Sequence, residues 1–363
     1  MKKFKLDKVF LISVVVLAIT GFFIFSSASL GLLARNGPQF NSIATTQAVG
    51  LILGFVCMAV TAHANYRAWR KYAFYIFLAS ILLNLAIFIP GLGIEHGGAK
   101  RWIDIGPISF QPSEFLKIGF IIYFAAWLSG VKDKISQFRY GLLPLLVIVA
   151  ILTPILYMQT DTKTIVIIFV AGLAMLIVGG ARWKDIIVLG LISCFVLGIV
   201  AYNRPYIRER LNTFINPSAN PQGSGYQIQQ SLIAIGSGQM FGRGFGQSVQ
   251  KFNFLPEPIG DSIFAVQAEE FGFAGSVLLI GFFLFFAFRA MKIASRSSDQ
   301  FGGLLVVGIV ILVVSESFMN IASMLGVIPL SGMPLLFVSH GGTALLLVLA
   351  EVGIILNVSK YQK

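Results

Sequence analysis

Three polar stretches hold ionisable residues whose types and spacing could do chemistry. The first runs from Gly97 to Gly106 and carries Lys100, Arg101 and Asp104; it is followed by Gln111-Pro112-Ser113-Glu114-Phe115-Leu116-Lys117. Pro112 and Ser113 suit a helix start, which puts Glu114 and Lys117 three apart on one face of its first turn. That spacing makes a helix-entry ion pair, or a site where Arg101 and Lys117 meet an anionic head group. The second stretch is Gln159-Thr160-Asp161-Thr162-Lys163-Thr164, in which Asp161 reads as a turn or cap residue or as part of a polar site. The third runs from Gly225-Tyr226-Gln227 through Gly242-Arg243-Gly244-Phe245-Gly246 to Phe254-Leu255-Pro256-Glu257-Pro258-Ile259-Gly260-Asp261. Its alternating glycines and phenylalanines describe a loop that bends sharply against a lipid interface. No strand precedes them, so they are no dinucleotide fingerprint. Asp261 stands where a carboxylate would cap the next helix or serve as a base, and Glu269 and Glu270 lie two turns deeper.

The elements that position these stretches are membrane helices. Of the 363 residues, 56% are hydrophobic and 12% charged, against roughly 25% charged in an ordinary soluble domain. Predominantly apolar runs of spanning length fall near 9–33, 45–63, 72–90, 113–129, 141–157, 164–180, 185–202, 271–290, 302–325 and 335–357. The expectation is an all-α polytopic membrane protein of about ten helices, one domain over 1–363, with a large extracytoplasmic loop at 203–261 between helices seven and eight. The net charge of +12 resides mainly at helix ends: Lys2, Lys3, Lys5, Lys8, Arg67, Arg70, Lys71, Lys132, Lys134, Arg139, Arg182, Lys184, Arg289, Lys292, Arg296, Lys360 and Lys363 fall on one side. The other side's short loops hold Arg35, Lys100, Arg101 and Lys163. That asymmetry places both termini in the cytoplasm and argues against nucleic acid as a partner. The uncharged run from Val9 to Ala34 far exceeds the roughly 7 to 15 residues of a signal-peptide core, so the first helix is read as uncleaved. Cys57 and Cys194 lie in separate spans and read as packing residues without a disulfide. His63, His96 and His340 are scattered, which argues against structural zinc.

These stretches carry a resemblance to the SEDS family, the shape, elongation, division and sporulation proteins typified by RodA and FtsW. It covers almost the whole chain and rests on Arg101-Trp102 with Gln111-Pro112-Ser113-Glu114, on Asp161-Thr162, on Gly242 to Gly246 with Phe254 to Asp261, on Ala268-Glu269-Glu270, and on Pro329-Leu330-Ser331-Gly332-Met333-Pro334 with Phe337-Val338-Ser339. The glycine block and the Leu-Pro-Glu-Pro-Ile-Gly-Asp segment look closer to the FtsW, cell-division branch.

The resemblance implies a peptidoglycan glycosyltransferase at the outer face of the bacterial cytoplasmic membrane, building β-1,4 glycan from lipid II, the undecaprenyl-diphosphate disaccharide-pentapeptide. Asp261 matches the family's essential loop aspartate and would be the base that deprotonates the acceptor's 4-hydroxyl. Arg101, Lys117 and Arg243 would neutralise phosphates, Glu114 would hold Lys117, and Asp161, Lys163, Glu257, Ser339 and His340 would complete the substrate site. No cofactor is required by the sequence; a divalent Mg or Mn ion near Asp161, shared with substrate phosphates, fits the chemistry. The implied partners are a class B penicillin-binding transpeptidase, other division proteins and membrane lipid. Arg204, Arg208 and Arg210 read as an interfacial helix on anionic lipid or a partner. The chain departs from the family pattern at Lys163, at His340 (usually tyrosine), at Thr343 (usually serine) and at Glu316 (glutamine expected), where a protonated acid acting like glutamine is the quieter reading. The alternatives are a lipid II flippase, for which Glu316 and Glu351 would continue a polar path inward, and a non-catalytic divisome scaffold.

Overall fold

The computed structural model describes residues 6–35, 37–96, 99–105, 108–191, 198, 205–217 and 225–362. In chain order the helices are α1 (Lys8–Arg35), α2 (Gly37–His63), α3 (Tyr66–Ala86), α4 (Pro112–Gly130), α5 (Leu142–Met158), α6 (Thr162–Gly179), α7 (Pro205–Ile215), α8 (Tyr226–Ser237), α9 (Ile263–Ser295), α10 (Gln300–Met324) and α11 (Gly342–Ser359). A further helical stretch at 183–191 begins the expected seventh span, whose remainder, with Cys194 and Arg204, lies outside the described residues. Six of the described helices are long and apolar enough to cross a bilayer, and α5 is a shorter apolar helix. Their side chains are apolar on nearly all faces, as a bundle surrounded by hydrocarbon requires.

α10 is the centre of the bundle, the most deeply buried of the six long apolar helices. It packs on α4, α6, α8, α9 and α11. Helix starts are written in the sequence. Pro112 opens α4 at a position where its missing N–H costs nothing, and Asp299 caps α10 by accepting from the Gly302 amide at 2.8 Å.

The two ends of the bundle differ. At one end Asp7 pairs with Arg289 at 2.8 Å and its amide reaches Ser359 Oγ, while the Tyr66 amide donates to Asn357 Oδ1 and Arg67 meets Asp299. Both described chain ends therefore lie together, beside Arg67, Arg289 and Lys360. The opposite end carries all three polar stretches.

Two expectations change in detail and a third is refined. The fold is not purely helical, because Gly93–His96, Ala99–Ile105 and Ile108–Phe110 form a three-stranded antiparallel sheet, β1-β2-β3, in the loop before α4. α9 begins at Ile263, just after Asp261 as expected, and is kinked at Gly272 (φ +67°), so that the apolar run 271–290 is the part beyond the kink and the buried Glu269 and Glu270 lie before it. α11 starts at Gly342 rather than near 335, because the segment before it leaves the helix to bond with the loop ahead of α9: the His340 amide donates to Ile259 O at 2.7 Å.

Candidate active site

Asp261 lines a cavity of about 230 Å³ that opens between α7, α8 and the segment after α10. It does not cap α9, whose N-cap is Ser262. Its Oδ1 instead accepts from Gln227 Nε2 at 3.2 Å, and Gln227 also holds Ser262 Oγ at 3.0 Å. Asn320 of α10 donates to the Asp261 carbonyl at 2.7 Å and to Met333 O at 2.6 Å, tying the loop to the central helix. Burial pushes the Asp261 carboxyl above its ordinary value; the Gln227 hydrogen bond lowers it, Glu257 raises it and Lys163 lowers it. A carboxylate so placed is a stronger base than an exposed one.

The segments around it are fixed by side chains. Lys163 Nζ donates to Gly332 O and Arg210 Nη1 to Leu330 O, each at 2.6 Å. Ser339 Oγ donates to Gly260 O at 2.7 Å while accepting from the Leu335 amide. Thr160, Glu257 and Phe337 adopt positive φ of 57°, 46° and 68°, a strain that non-glycine residues hold only where the surroundings enforce it.

The Asp161 turn sits nearby. Arg101 donates through Nε to Gln159 O and through Nη2 to Thr160 O, at 3.1 and 2.6 Å, so its guanidinium fork clamps this turn. Asp161 occupies the N-cap position of α6 without capping it; Thr164 Oγ1 donates to its Oδ2 at 2.8 Å. Asp161 Oδ1, Gln159 Oε1 and Asn84 Oδ1 are buried oxygens with no hydrogen-bond donor, and Gln159 Nε2 bonds Asn84 O. Among the described residues no three His, Cys, Asp or Glu side chains gather into a metal cage. Donorless hard oxygens are the ligand type a magnesium-type ion takes.

Lys117 is placed deeper than a head-group contact. It is 2% exposed and its ammonium is taken up by Glu114 at 2.8 Å and Glu316 at 2.6 Å. Glu114 does hold Lys117, and Glu316, across on α10, is a second partner. Arg243 pairs with Glu269 at 3.4 Å and is half exposed on the glycine loop. His340 stacks on Phe25 with its Nε2 unbonded, and burial lowers its pKa.

Sequence reasoning missed how the glycine loop is anchored. Glu269 accepts from Ser248 Oγ and the amides of Val249 and Gln250. Glu270 accepts from Ser27 Oγ and from Lys251 Nζ at 2.7 Å; the same ammonium reaches Ser27 Oγ and Gly246 O. Gly242 and Gly272, at φ +80° and +67°, let loop and helix touch: a Cβ on Gly242 would lie 2.1 Å from Glu270 O. The available signal was that two adjacent acids in an apolar helix demand partners and that Lys251 is the lone lysine between Lys184 and Lys292. Arg210, read as a surface residue, instead reaches the site.

The FtsW/RodA/SpoVE cell cycle protein model matches residues 7–363. The chain belongs to that family. It is 34% identical to a probable peptidoglycan glycosyltransferase FtsW of Geobacter sp. (strain M18), over 97% of this chain and 96% of that one. It is 37% identical to stage V sporulation protein E of Bacillus subtilis (strain 168), over 86% and 85%. Its fold is shared with a chain solved for the structural coordination of polymerization and crosslinking by a peptidoglycan synthase complex, at TM-score 0.81, 24% identity and 99% coverage of both chains. It is also shared with RodA of Thermus thermophilus, at TM-score 0.72, 23% identity, and 99% and 98% coverage.

Proposed function

We propose that this chain is a peptidoglycan glycosyltransferase that polymerises lipid II into β-1,4 glycan at the outer face of the cytoplasmic membrane, for septal wall synthesis. The observation that carries this is Asp261: a carboxylate lining a cavity, held by Gln227 rather than spent on a helix terminus. The acceptor 4-hydroxyl oxygen attacks the donor's anomeric carbon, the bond from that carbon to the diphosphate breaks with inversion, and Asp261 takes the proton. A diphosphate departs as a good leaving group, so one base suffices where a glycosidase needs two carboxylates.

Arg101, Lys163 and Arg243 are the cations assigned to the diphosphate; Lys117, held by two carboxylates, organises α4 against α10. Ser339 and His340 support the loop, and Glu257 adjusts the base. A divalent ion at Asp161 would neutralise the departing phosphates. Both termini are assigned to the cytoplasm, because Arg67, Arg289 and Lys360 lie at their end of the bundle, and the 363 residues act as one unit. A class B penicillin-binding transpeptidase is the partner that would crosslink strands as they emerge, together with other division proteins. Incubation of the purified protein with lipid II and magnesium or manganese, with and without that transpeptidase, tests the reading. A glycan ladder on gels supports it; failure to polymerise in every condition favours the flippase or scaffold.

A further inference from the structure

We propose that the cavity over Asp261 is the acceptor subsite, that it receives the single N-acetylamino sugar whose 4-hydroxyl attacks, and that Thr213 and Glu209 of α7 select it. The proposal rests on the glycosyltransferase reading above. A base must touch the hydroxyl it deprotonates, so the cavity that contains Asp261 is the acceptor's. Its volume of about 230 Å³ is below the roughly 300–1,000 Å³ of sites for drug-sized ligands; it suits one sugar ring and excludes a disaccharide-peptide. Its walls are amphipathic as a pyranose requires. Phe214, Ile228 and Pro329 offer apolar surface to a ring face, while Glu209, Thr213 and Gln227 offer hydrogen-bonding groups to its rim.

Charge separates this subsite from the donor's. The one cation in the lining, Arg210, is engaged with Leu330 O, and Glu209 and Asp261 bring negative charge that would oppose a diphosphate. Lys163 and Arg101 lie outside the lining; Lys163 meets the same chain segment at Gly332 O, and Arg101 is on the Asp161 turn. The segment from Leu330 to Gly332 is thus held at one point by an acceptor-side cation and at another by a cation assigned to the donor.

The test uses a fluorescent lipid II analogue whose terminal sugar is 4-deoxy. It keeps its anomeric carbon but has no attacking hydroxyl, so it can only donate, and unlabelled lipid II is the acceptor. Initial coupling rates are measured while each is varied, with the full-length protein, magnesium or manganese, and the transpeptidase present. Thr213→Val raises the acceptor KM about tenfold, the loss of one hydrogen bond, and leaves the donor KM within twofold; Glu209→Gln acts in the same direction. Thr213→Ser, which keeps the hydroxyl, retains the wild-type acceptor KM. A rise confined to the donor KM, an equal rise in both, or a Thr213→Ser variant as impaired as Thr213→Val overturns the assignment. No coupling by wild type removes the parent reading and the subsite with it, an outcome distinct from the other three.

Discussion

Lys251→Met removes the ammonium that pins the glycine loop to α9. Lys251 is fully buried and bonds Glu270 Oε1 at 2.7 Å, Gly246 O at 3.0 Å and Ser27 Oγ at 3.1 Å. Glu270, 1% exposed, then keeps only the Ser27 hydroxyl and a long bond from the Ser248 amide at 3.4 Å. Breaking a buried pair by deleting one partner costs about 3–5 kcal/mol, mostly the desolvation of the charge left behind. The loss is local first, because the loop can leave α9 without unfolding the bundle. Protease cleavage within 243–252 reads the opening, and unfolding in mixed dodecyl sulfate and maltoside micelles reads the global cost. Adding Glu270→Gln removes the orphaned charge while keeping an acceptor for Ser27, so the double variant recovers at least half of the loss. A single variant that costs under about 1 kcal/mol, or a double variant that is worse than the single, refutes the reasoning.

The acid limb of kcat/KM reports ionisation of Asp261, so activity rises with pH through its raised pKa. Glu257→Gln removes a like charge and moves the limb to lower pH, whereas Lys163→Gln removes a cation and moves it to higher pH; a pH–rate series checks both signs. Lys117→Met leaves Glu114 and Glu316 unpaired in the bundle and costs about 3–5 kcal/mol in micelle unfolding, while Glu316→Gln keeps the Glu114 pair and most polymerisation. If Glu316→Gln or Glu351→Gln abolished lipid II translocation instead, the flippase would gain. Gly242→Ala puts a Cβ 2.1 Å from Glu270 O, so it exposes the loop to protease as Lys251→Met does.

Much of the fold was legible because hydrocarbon demands long uncharged runs, and those runs mark the helices however they pack. What periodicity could not show was where a chain leaves the helix for a tertiary partner. Residues 335–341 are as apolar as a span, yet the His340 amide and Ser339 Oγ bond to Ile259 O and Gly260 O. The small sheet at 93–110 was hidden for a related reason, since short strands between polar turns carry little pattern. At the site, the spacing of Glu114 and Lys117 announced a local pair, but Glu316 is 199 residues away from Lys117 in sequence, and no local rule links them. Arg101 was read for phosphate and Arg210 for lipid or a partner; both also hold backbone carbonyls, of Gln159, Thr160 and Leu330, a tertiary use that no local pattern describes. Asp261 could be noticed but not assigned, because a helix cap and a base look alike until Ser262 is found at the cap.

The most direct measurement is single-turnover coupling of lipid II by Asp261→Asn beside wild type, at saturating substrate and matched folding. Asn keeps the size and the contact to Gln227 but cannot take a proton, and a positioned base contributes about a hundred- to ten-thousand-fold. The account expects a rate loss of that order with lipid II binding preserved. Coupling at the wild-type rate would contradict it and remove Asp261 from the chemistry.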